Sequence, residues 1–412
     1  MTKKGGFPKL TVRDVPLDGK TVLIRADYNV PLEEDGSIAD DFRIRSSVPT
    51  LEYLLDHGCK VVVMSHLGRP DGKKDPSASL KVIGHRLSEL LDAPVKFVSD
   101  CIGDKARMAV KRAPKKSVIL LENVRFYPEE EENDSDFAKK LAKDSGAQYF
   151  VQDGFGVVHR AHASTAAITE WLPSVAGLLL EREYRIITTA MKHPEQPLVA
   201  VLGGAKVSDK LPLIEAIIPI ASQILIGGAM ANTFLAAKGV AIGKSKYEPD
   251  EIREAQKIYV LAARKVGVER VNDFIVLPTD VAVAKEITDA AMRKNVKVNA
   301  ISKDDIALDV GDVTIENFTK QVEKAKTVIW NGTLGFAEYP EFAHGSARLA
   351  LTLATHPEIT SIIGGGDTAD FVLHWDSKSG KSFSHVSTGG GASLELMSGK
   401  ILPGVEALMD KR

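Results

Sequence analysis

Two lysines follow a glycine turn in the stretch LVAVLGGAKVSDKLPLIEAIIPIA, residues 198–221. Its first five residues are apolar and predict a buried strand, which the paired glycines end before the apolar positions change to helical spacing. Pro212 is tolerated only in a first helical turn, so we expect the helix to begin near residue 208 or 209. Lys206 and Lys210 then lie at the positive end of the helix dipole. The stretch predicts a polyanion site, most simply for a phosphate chain; a glycine-capped crossover with two solvated lysines is the alternative.

Glycine-rich segments end further predicted strands in the second half of the chain. They are Gly227–Gly228, Asn331–Gly332, Gly364–Gly366 and Gly389–Gly391. Glycine allows the backbone to lie against a flat base or a phosphate. Asp367 and Thr368 follow three glycines at a predicted helix start, where Asp can hold Mg²⁺ and Thr can donate its hydroxyl to a phosphate oxygen. We therefore expect a nucleotide at the edge of a sheet in this half.

Two common nucleotide-binding motifs are absent from the sequence. The segment GVAIGKS at 239–245 looks like a P-loop but has three residues between its glycines instead of four. No GxGxxG segment follows a strand with an acidic residue at the distance that a dinucleotide-binding turn requires. This counts against a dinucleotide-dependent dehydrogenase, which remains one alternative function.

Polar and basic side chains follow the strands predicted in the first half of the chain. They are Asp27, Asn29, His66, Arg69, Arg125 and Arg160, with Arg43 at the start of the first crossover helix. Because ligands of open parallel sheets bind beyond the carboxyl ends of the strands, we expect these side chains to form one cup. Four arginines would repel one another unless an anion bound there, and guanidinium groups match phosphate and carboxylate. The first half is predicted to bind a small phosphorylated acid.

Two other polar features of the first half carry no site prediction. His159 and His162 lack a third clustered metal ligand, so we interpret them as structural or supporting residues. The acidic run from Glu129 to Glu132 is interpreted as a solvated loop.

Apolar strands alternate with helices along both halves of the chain. This alternation predicts an α/β fold with doubly wound parallel sheets that are covered on both faces. The length of 412 residues favours two domains. A long helix is predicted from Trp171 to about His193 and would join them.

The composition of the chain argues against several classes of protein. A formal net charge of −2 gives no basic field for nucleic acid or an acidic membrane. Cys59 and Cys101 are too few for a disulfide framework or a cysteine-rich zinc site, and we expect both to be buried. The N-terminus lacks a secretory signal and no apolar run approaches a membrane span. We expect a cytoplasmic monomer.

Eight segments together resemble the ordered signature blocks of the phosphoglycerate kinase family. They are VLIRADYNVP (22–31), SHLGRP (65–70), ENVRF (122–126), DGFGVVHRAHAS (153–164), GGAKVSDK (203–210), WNGTLGFAE (330–338), GGGDT (364–368) and STGGGASLE (387–395). The resemblance covers nearly the whole chain. Thr333 stands where the family usually has proline, which leaves the detailed fit around the nucleotide open.

The resemblance implies two Rossmann-like domains joined by a long helix and a hinge. It implies a phosphoglycerate-binding domain at 1–180, the interdomain helix and hinge at 181–197, a nucleotide-binding domain at 198–398 and a tail at 399–412 that returns to the first domain. The implied glycolytic reaction is the reversible, Mg²⁺-dependent transfer of a phosphoryl group between 1,3-bisphosphoglycerate and ADP, which gives 3-phosphoglycerate and ATP. A non-catalytic, two-domain binding protein for a phosphorylated metabolite is the other alternative.

The resemblance also implies a role for each matching residue. Phosphoglycerate would be bound by Asp27, Asn29, Arg43, His66, Arg69, Arg125 and Arg160, with Arg43 also stabilising the transferring phosphoryl group. The nucleotide would be bound by Gly203, Gly204, Lys206, Lys210, Gly227, Gly228, Asn331, Glu338, Gly364, Gly365, Gly366, Asp367 and Thr368. Within that set Lys206 would reach the transferred group, Glu338 the ribose and Asp367 the metal. Backbone N–H groups of Gly389, Gly390 and Gly391 would lie near the moving phosphoryl group.

Overall fold

Two compact units make up the structure, a computed structural model that describes residues 6–411. Among these, the residues up to Arg185 and those from Ile401 onward form the first unit, and Ile186–Lys400 forms the second. Among the described residues, no helix is both long enough and apolar enough to cross a membrane.

The first unit is built on a six-stranded parallel sheet with the order β3-β4-β2-β1-β5-β6. Its elements are β1 Thr21–Arg25, α1 Phe42–Asp56, β2 Lys60–Met64, α2 Lys81–Leu90, β3 Val95–Val98, α3 Gly103–Arg112, β4 Ser117–Leu121, α4 Ser135–Ser145, β5 Tyr149–Gln152, β6 Ser174–Ala176 and α5 Leu178–Lys192. The central strands are buried almost throughout, as expected of a parallel sheet covered on both faces. The strand order reverses at β1, so the carboxyl end of β1 lies at the topological switch point.

The prediction of one helix from Trp171 to His193 was wrong at its start. Ser174–Ala176 forms β6, which pairs in parallel with β5, and α5 begins only at Leu178. The pairing satisfies backbone groups of this segment, since Phe150 N donates to Pro173 O at 2.9 Å and Ala176 N donates to Leu10 O at 2.9 Å. The division between the two units falls within α5.

The second unit contains a second six-stranded parallel sheet, with the order β15-β14-β13-β7-β8-β9. Its elements are β7 Leu198–Leu202, α6 Leu211–Ile217, β8 Gln223–Ile226, α7 Gly228–Ala237, α8 Ile252–Val266, α9 Val271–Phe274, β9 Ile275–Val276, β10 Asp280–Ala284, β11 Lys294–Lys297, β12 Ile306–Val310, α10 Asp312–Val322, β13 Thr327–Asn331, α11 His344–Thr355, β14 Thr360–Gly364, α12 Gly366–Trp375, β15 His385–Val386 and α13 Gly391–Met397. A 3₁₀ turn at Ser208–Lys210 precedes α6. The order reverses beside β7, which places the glycines at the end of β7 at this sheet's switch point.

A three-stranded antiparallel sheet in the second unit has no counterpart in the sequence prediction. It has the order β11-β10-β12. Strand β11 reads KNVK and is mostly exposed, so it lacks the apolar pattern that predicts a strand. The sheet is stabilised by packing of its alanines and Leu308 against Phe342.

The C-terminal residues from Ile401 pack within the first unit. They include a short helix, α14 Pro403–Glu406. Met409 N donates to Ser174 O at 3.0 Å, and Gly404 N donates to Val158 O at 2.9 Å. The buried ammonium of Lys9 lies 2.8 Å from Asp410 Oδ1, so both ends of the described chain are held together.

Candidate active site

Five of the residues predicted for the anion cup are brought together at the carboxyl edge of the first sheet. Arg43 Nη1 donates to Asn29 O at 2.7 Å and lies 3.5 Å from Asp27 Oδ2. Asn29 Oδ1 accepts a hydrogen bond from Gly68 N at 2.8 Å. Arg125 Nη1 donates to Gly68 O at 3.0 Å, and His66 Nδ1 is 3.9 Å from Asp27 Oδ1. We call Asp27, Asn29, Arg43, His66, Arg69, Arg125 and Arg160 the first rim.

The other two arginines of the first rim are exposed. Arg69 directly follows Gly68 in the chain. Arg160 Nε is 3.2 Å from His159 Nε2, and the positive charge of Arg160 contributes to lowering the pKa of Arg125. Arg160 therefore belongs to the same electrostatic site, although it makes no hydrogen bond to the five residues described above.

Arg125 has a buried donor that lacks a hydrogen-bond acceptor among the described residues. Burial is the main cause that lowers its pKa, against the opposing charge of Glu131. Glu131 Oε1 is 3.3 Å from Arg125 Nε, yet the geometry is not that of a hydrogen bond, and Nε is buried without an acceptor among the described residues. A buried N–H without an acceptor costs free energy, and a bound anion would supply the missing acceptor.

His66 is buried and uncharged in this environment. Burial lowers its pKa well below the usual value, and the positive charges of Arg25, Arg125 and Arg43 lower it further. His66 therefore contributes hydrogen bonding to the site and not a positive charge.

Sequence reasoning missed a buried ionic group beneath the first rim. Arg25 and Glu130 are both completely buried, with Arg25 Nη2 3.8 Å from Glu130 Oε1. Ser164 Oγ accepts from Arg25 Nε at 2.7 Å and donates to Glu130 Oε1 at 2.5 Å. The interpretation of Glu129–Glu132 as a solvated loop was therefore wrong for Glu130, because its partner is distant in sequence and no local pattern signals the pairing.

The glycines of the second unit meet one another at the ends of β7, β8 and β13. Gly203 N donates to Asn331 O at 3.0 Å, and Gly204 N donates to Thr333 O at 2.8 Å. A Cβ atom on Gly203 would lie 2.1 Å from Thr333 O, and one on Gly228 would lie 2.7 Å from Gly204 N. Close backbone approach thus requires glycine at both positions. Thr333 accepts its bond through the carbonyl oxygen, which any residue type at this position provides.

Lys210 and Asn331 are joined by a hydrogen bond at this edge. Burial lowers the pKa of Lys210, and the charges of Asp209 and Asp367 act in the opposite direction. Asn331 Nδ2 is buried and has no hydrogen-bond acceptor among the described residues. A cation and an unsatisfied amide donor therefore lie side by side, as a phosphate site requires.

Thr368 and the two glycine-rich helix starts complete this edge. Thr368 Oγ1 accepts a hydrogen bond from Gly332 N at 2.6 Å, which joins the turn after β13 to the first turn of α12. Gly365 has φ 93° and Gly390 has φ 43°, so each helix start uses a backbone conformation that favours glycine. We call the predicted nucleotide residues, together with Gly389–Gly391, the second rim.

Three charged residues of the second rim are exposed: Lys206, Glu338 and Asp367. No cluster of three or more His, Cys, Asp or Glu residues that could hold a metal exists in the described part of the chain. Glu248, which the sequence analysis missed, accepts hydrogen bonds from Val207 N at 2.5 Å and from Ser208 N at 3.1 Å. It thereby fixes the segment directly after Lys206.

A family model, curated relatives and a solved structure that resemble this chain all carry the same family description. The family described as PGK, phosphoglycerate kinase, matches residues 12–400. The phosphoglycerate kinase of Dictyoglomus turgidum is 47% identical, with 98% of each chain covered. That of Moorella thermoacetica is 46% identical over 98% of this chain and 100% of its own. The solved structure of phosphoglycerate kinase from Coxiella burnetii has a TM-score of 0.82 at 36% identity and covers 97% of this chain and 98% of its own.

Proposed function

The chain belongs to the phosphoglycerate kinase family, and we propose that it catalyses reversible phosphoryl transfer between 1,3-bisphosphoglycerate and ADP. The products are 3-phosphoglycerate and ATP. The observation that carries this proposal is the family match over residues 12–400, which includes the segments of both rims. No observation favours the non-catalytic binding protein or the dehydrogenase.

We assign phosphoglycerate to the first rim. Its four arginines offer forked donors that match phosphate and carboxylate, and the buried Arg125 Nε–H lacks an acceptor. Arg43 is held by Asn29 O and by Asp27, with about a quarter of its side chain exposed. That position suits a cation that stabilises the transferring group while it is anchored in the first unit.

We assign the nucleotide to the second rim. Lys210 and Asn331 would contact its phosphates, the paired glycines would lie against its base, and Glu338 would bind its ribose. Lys206, which is exposed at the edge of this rim, would reach the transferred phosphoryl group. The backbone N–H groups at the start of α13 would add donors for the same group.

Asp367 would hold Mg²⁺ together with the nucleotide phosphates. The residue fits this role because its exposed carboxylate lies in the first turn of α12 and makes no hydrogen bond to another described side chain. Mg²⁺ keeps most of its waters and takes only one or two carboxylates beside phosphates, so a larger ligand cluster is not required. When bound, the ion would neutralise phosphate charge.

For this reaction the protein must position the two substrates and neutralise the charge on the transferring phosphoryl group. The donor is an acyl phosphate and the acceptor is already an anion, so no strong general base is needed. The two bound anions must be brought into line and water must be excluded, since water would otherwise hydrolyse the nucleotide. Arg43, Lys206 and the start of α13 supply donors for the equatorial oxygens.

A coupled assay of ATP- and Mg²⁺-dependent phosphorylation of 3-phosphoglycerate tests the proposal. We expect activity in the wild type and a loss of about 10²-fold or more in Arg43→Ala, the size found when one such donor is removed. Arg45→Ala is the matched control, because Arg45 lies on the same helix and pairs with Asp41 outside the rim. Equal activity in Arg43→Ala would remove this residue from the mechanism. A folded wild type that binds both ligands without turnover would support the binding-protein alternative.

A further inference from the structure

Arg25 makes three hydrogen-bond contacts from a completely buried position below the first rim. Its Nε donates to Ser164 Oγ at 2.7 Å, and its Nη1 donates to Ala26 O at 2.5 Å. Its Nη2 is 3.3 Å from Nδ1 of His66. The last contact joins a residue that faces no solvent to a residue of the proposed phosphoglycerate site.

The chemistry of this contact fixes the proton on His66. A guanidinium group has only donors, so Nδ1 of the imidazole must be the acceptor and must carry no proton. Asp27 Oδ1 lies 3.9 Å from the same nitrogen, which is too far for a competing hydrogen bond. A neutral imidazole with a bare Nδ1 carries its proton on Nε2.

We propose that Arg25 is a positioning residue that holds His66 in the neutral Nε2–H form, so that Nε2–H donates to bound phosphoglycerate. The proposal deepens the proposed function and rests on it for the identity of the ligand. No hydrogen-bond partner of Nε2 exists among residues 6–411, so this donor is available to a ligand.

The carboxylate of Glu130 offsets the free-energy cost of burying the positive charge of Arg25. Its carboxylate is 3.8 Å from the guanidinium and is itself held by Ser164, whose N and Oγ donate at 2.9 and 2.5 Å. The two buried charges therefore compensate each other, and the nitrogen that lies 3.8 Å from Glu130, Nη2, is the one that contacts His66 Nδ1 at 3.3 Å.

Both positive and negative side chains surround His66. Arg25 on β1, Arg43 on α1 and Arg125 after β4 are positive, and His162 is the nearest other imidazole. Asp27 and Glu130 are the acidic groups that face this cluster. Burial together with three cations outweighs the carboxylates and lowers the pKa of His66.

A direct test is the tautomer and titration of His66 by NMR of selectively ¹⁵N-histidine-labelled full-length protein. The chain has 10 histidines, and His66→Gln identifies the resonance. We expect an unprotonated Nδ1, a protonated Nε2 and no titration between pH 5 and 8. A protonated Nδ1, or a titration midpoint near the ordinary value of about 6.5, would overturn the proposal.

A second test removes the buried pair together, because loss of Arg25 alone would leave Glu130 unpaired. In Arg25→Met/Glu130→Gln we expect both tautomers of His66 and a titration midpoint at least about one pH unit higher than in the wild type. The KM for 3-phosphoglycerate should then vary between pH 5.5 and 7.5, while the KM for ATP changes less than about twofold. Arg107→Met/Asp144→Asn, which removes an Arg–Asp ion pair elsewhere in the same unit, is the matched control and should leave His66 unchanged.

The two experiments separate this proposal from the proposed function. If the wild-type tautomer is as expected but 3-phosphoglycerate neither binds nor reacts, the ligand assignment fails and the role of Arg25 stands. If the folded double variant keeps the wild-type tautomer and titration of His66, the role of Arg25 is wrong, whatever the activity.

Discussion

Lys206 and Lys210 have the same side chain but lie in different environments. We therefore expect them to have different roles in binding and catalysis. Lys210 is largely buried, hydrogen-bonded to Asn331, and its pKa is lowered by burial. Lys206 is exposed, and the segment that follows it is fixed by Glu248. Because Lys210 is held in place before the ligand arrives, it suits binding of the nucleotide in the ground state. The ammonium group of Lys206 is exposed at the edge of the rim and can therefore contact the phosphoryl group during its transfer.

We expect Lys206→Ala to reduce kcat far more than nucleotide affinity. A loss of about 10²-fold to 10³-fold in kcat, with a change in the Kd of ADP below about threefold, would match a donor used in the transition state. Steady-state kinetics and calorimetric titration measure the two quantities. Lys244→Ala, which alters an exposed lysine paired with Asp304, should change neither. A loss confined to affinity would refute the transition-state role.

Asp153 predicts a pH dependence of stability. Burial raises its pKa to about 7, against hydrogen bonds from Thr50, Leu179 and Leu180 and the charge of Arg182. Its Oδ2 is buried without a hydrogen-bond partner among the described residues. Between the unfolded pKa near 4 and the folded value, the folded state holds a proton that the unfolded state has lost, so the free energy of unfolding falls as pH rises.

Asp153→Asn should remove this dependence. Three pKa units correspond to about 4 kcal/mol, so the free energy of unfolding of the variant relative to the wild type should increase by up to that amount between pH 4 and pH 7 and then level off. Urea unfolding at a series of pH values measures the difference. Parallel pH profiles for the two proteins would contradict the assignment.

At the scale of elements, a buried ion pair beside the three-stranded sheet contacts the loop after β13 and the start of α11. Asp309 Oδ2 is 2.9 Å from Arg293 Nη1 and accepts from Gly345 N at 3.0 Å. Arg293 Nη1 also donates to Glu341 O at 3.1 Å. Glu338, the residue proposed for the ribose, lies on this loop. The small sheet therefore acts as a support for part of the second rim.

We expect Asp309→Asn to weaken nucleotide binding selectively. If the lost charge–charge contact loosens the loop by about 1 kcal/mol, the KM for ATP rises roughly fivefold. The KM for 3-phosphoglycerate should stay constant in the same steady-state measurements.

Asp280→Asn is the matched control for this prediction. Asp280 is buried on the same sheet, and its carboxylate accepts from Thr314 N at 2.8 Å, away from the loop. Equal effects of both variants on the KM for ATP would show that Asp309 acts through the overall stability of the unit and not through its contact with the loop.

The elements that carry the rims could be predicted from the sequence, because apolar runs ended by glycine or by polar residues depend on local pattern alone. Strand β6 could not be predicted, since its pairing with β5 overrides a sequence that reads as helix. The buried state of Glu130 and the anchoring role of Glu248 depend on partners distant in sequence, Arg25 and Val207. Local patterns thus predicted which glycine and polar residues follow the strands, whereas the contacts that hold Glu130 and Glu248 are long-range ionic and hydrogen-bond contacts.

At the scale of the whole molecule, each rim belongs to one unit. The first rim lies within residues up to Arg185, and the second lies within Ile186–Lys400. Each unit has its own six-stranded sheet with its own switch point. Each ligand should therefore stabilise the unit that supplies its contacts, because binding to the folded state alone shifts that unit's opening equilibrium.

Amide hydrogen exchange with one ligand at a time tests this division. At a ligand concentration about 100 times the Kd, amides that exchange by opening of the binding unit should slow by up to about 100-fold, which corresponds to about 2.7 kcal/mol. 3-Phosphoglycerate should protect Asn29, Gly68 and the strands around them, and ADP should protect Gly203, Gly204 and β7. Inorganic phosphate at the same concentration is the control for general anion effects. Protection of the second unit by 3-phosphoglycerate without protection of the first would reverse the assignment of the two rims. Matching protection by each ligand in its own unit would support the assignment of phosphoglycerate to the first rim and of the nucleotide to the second.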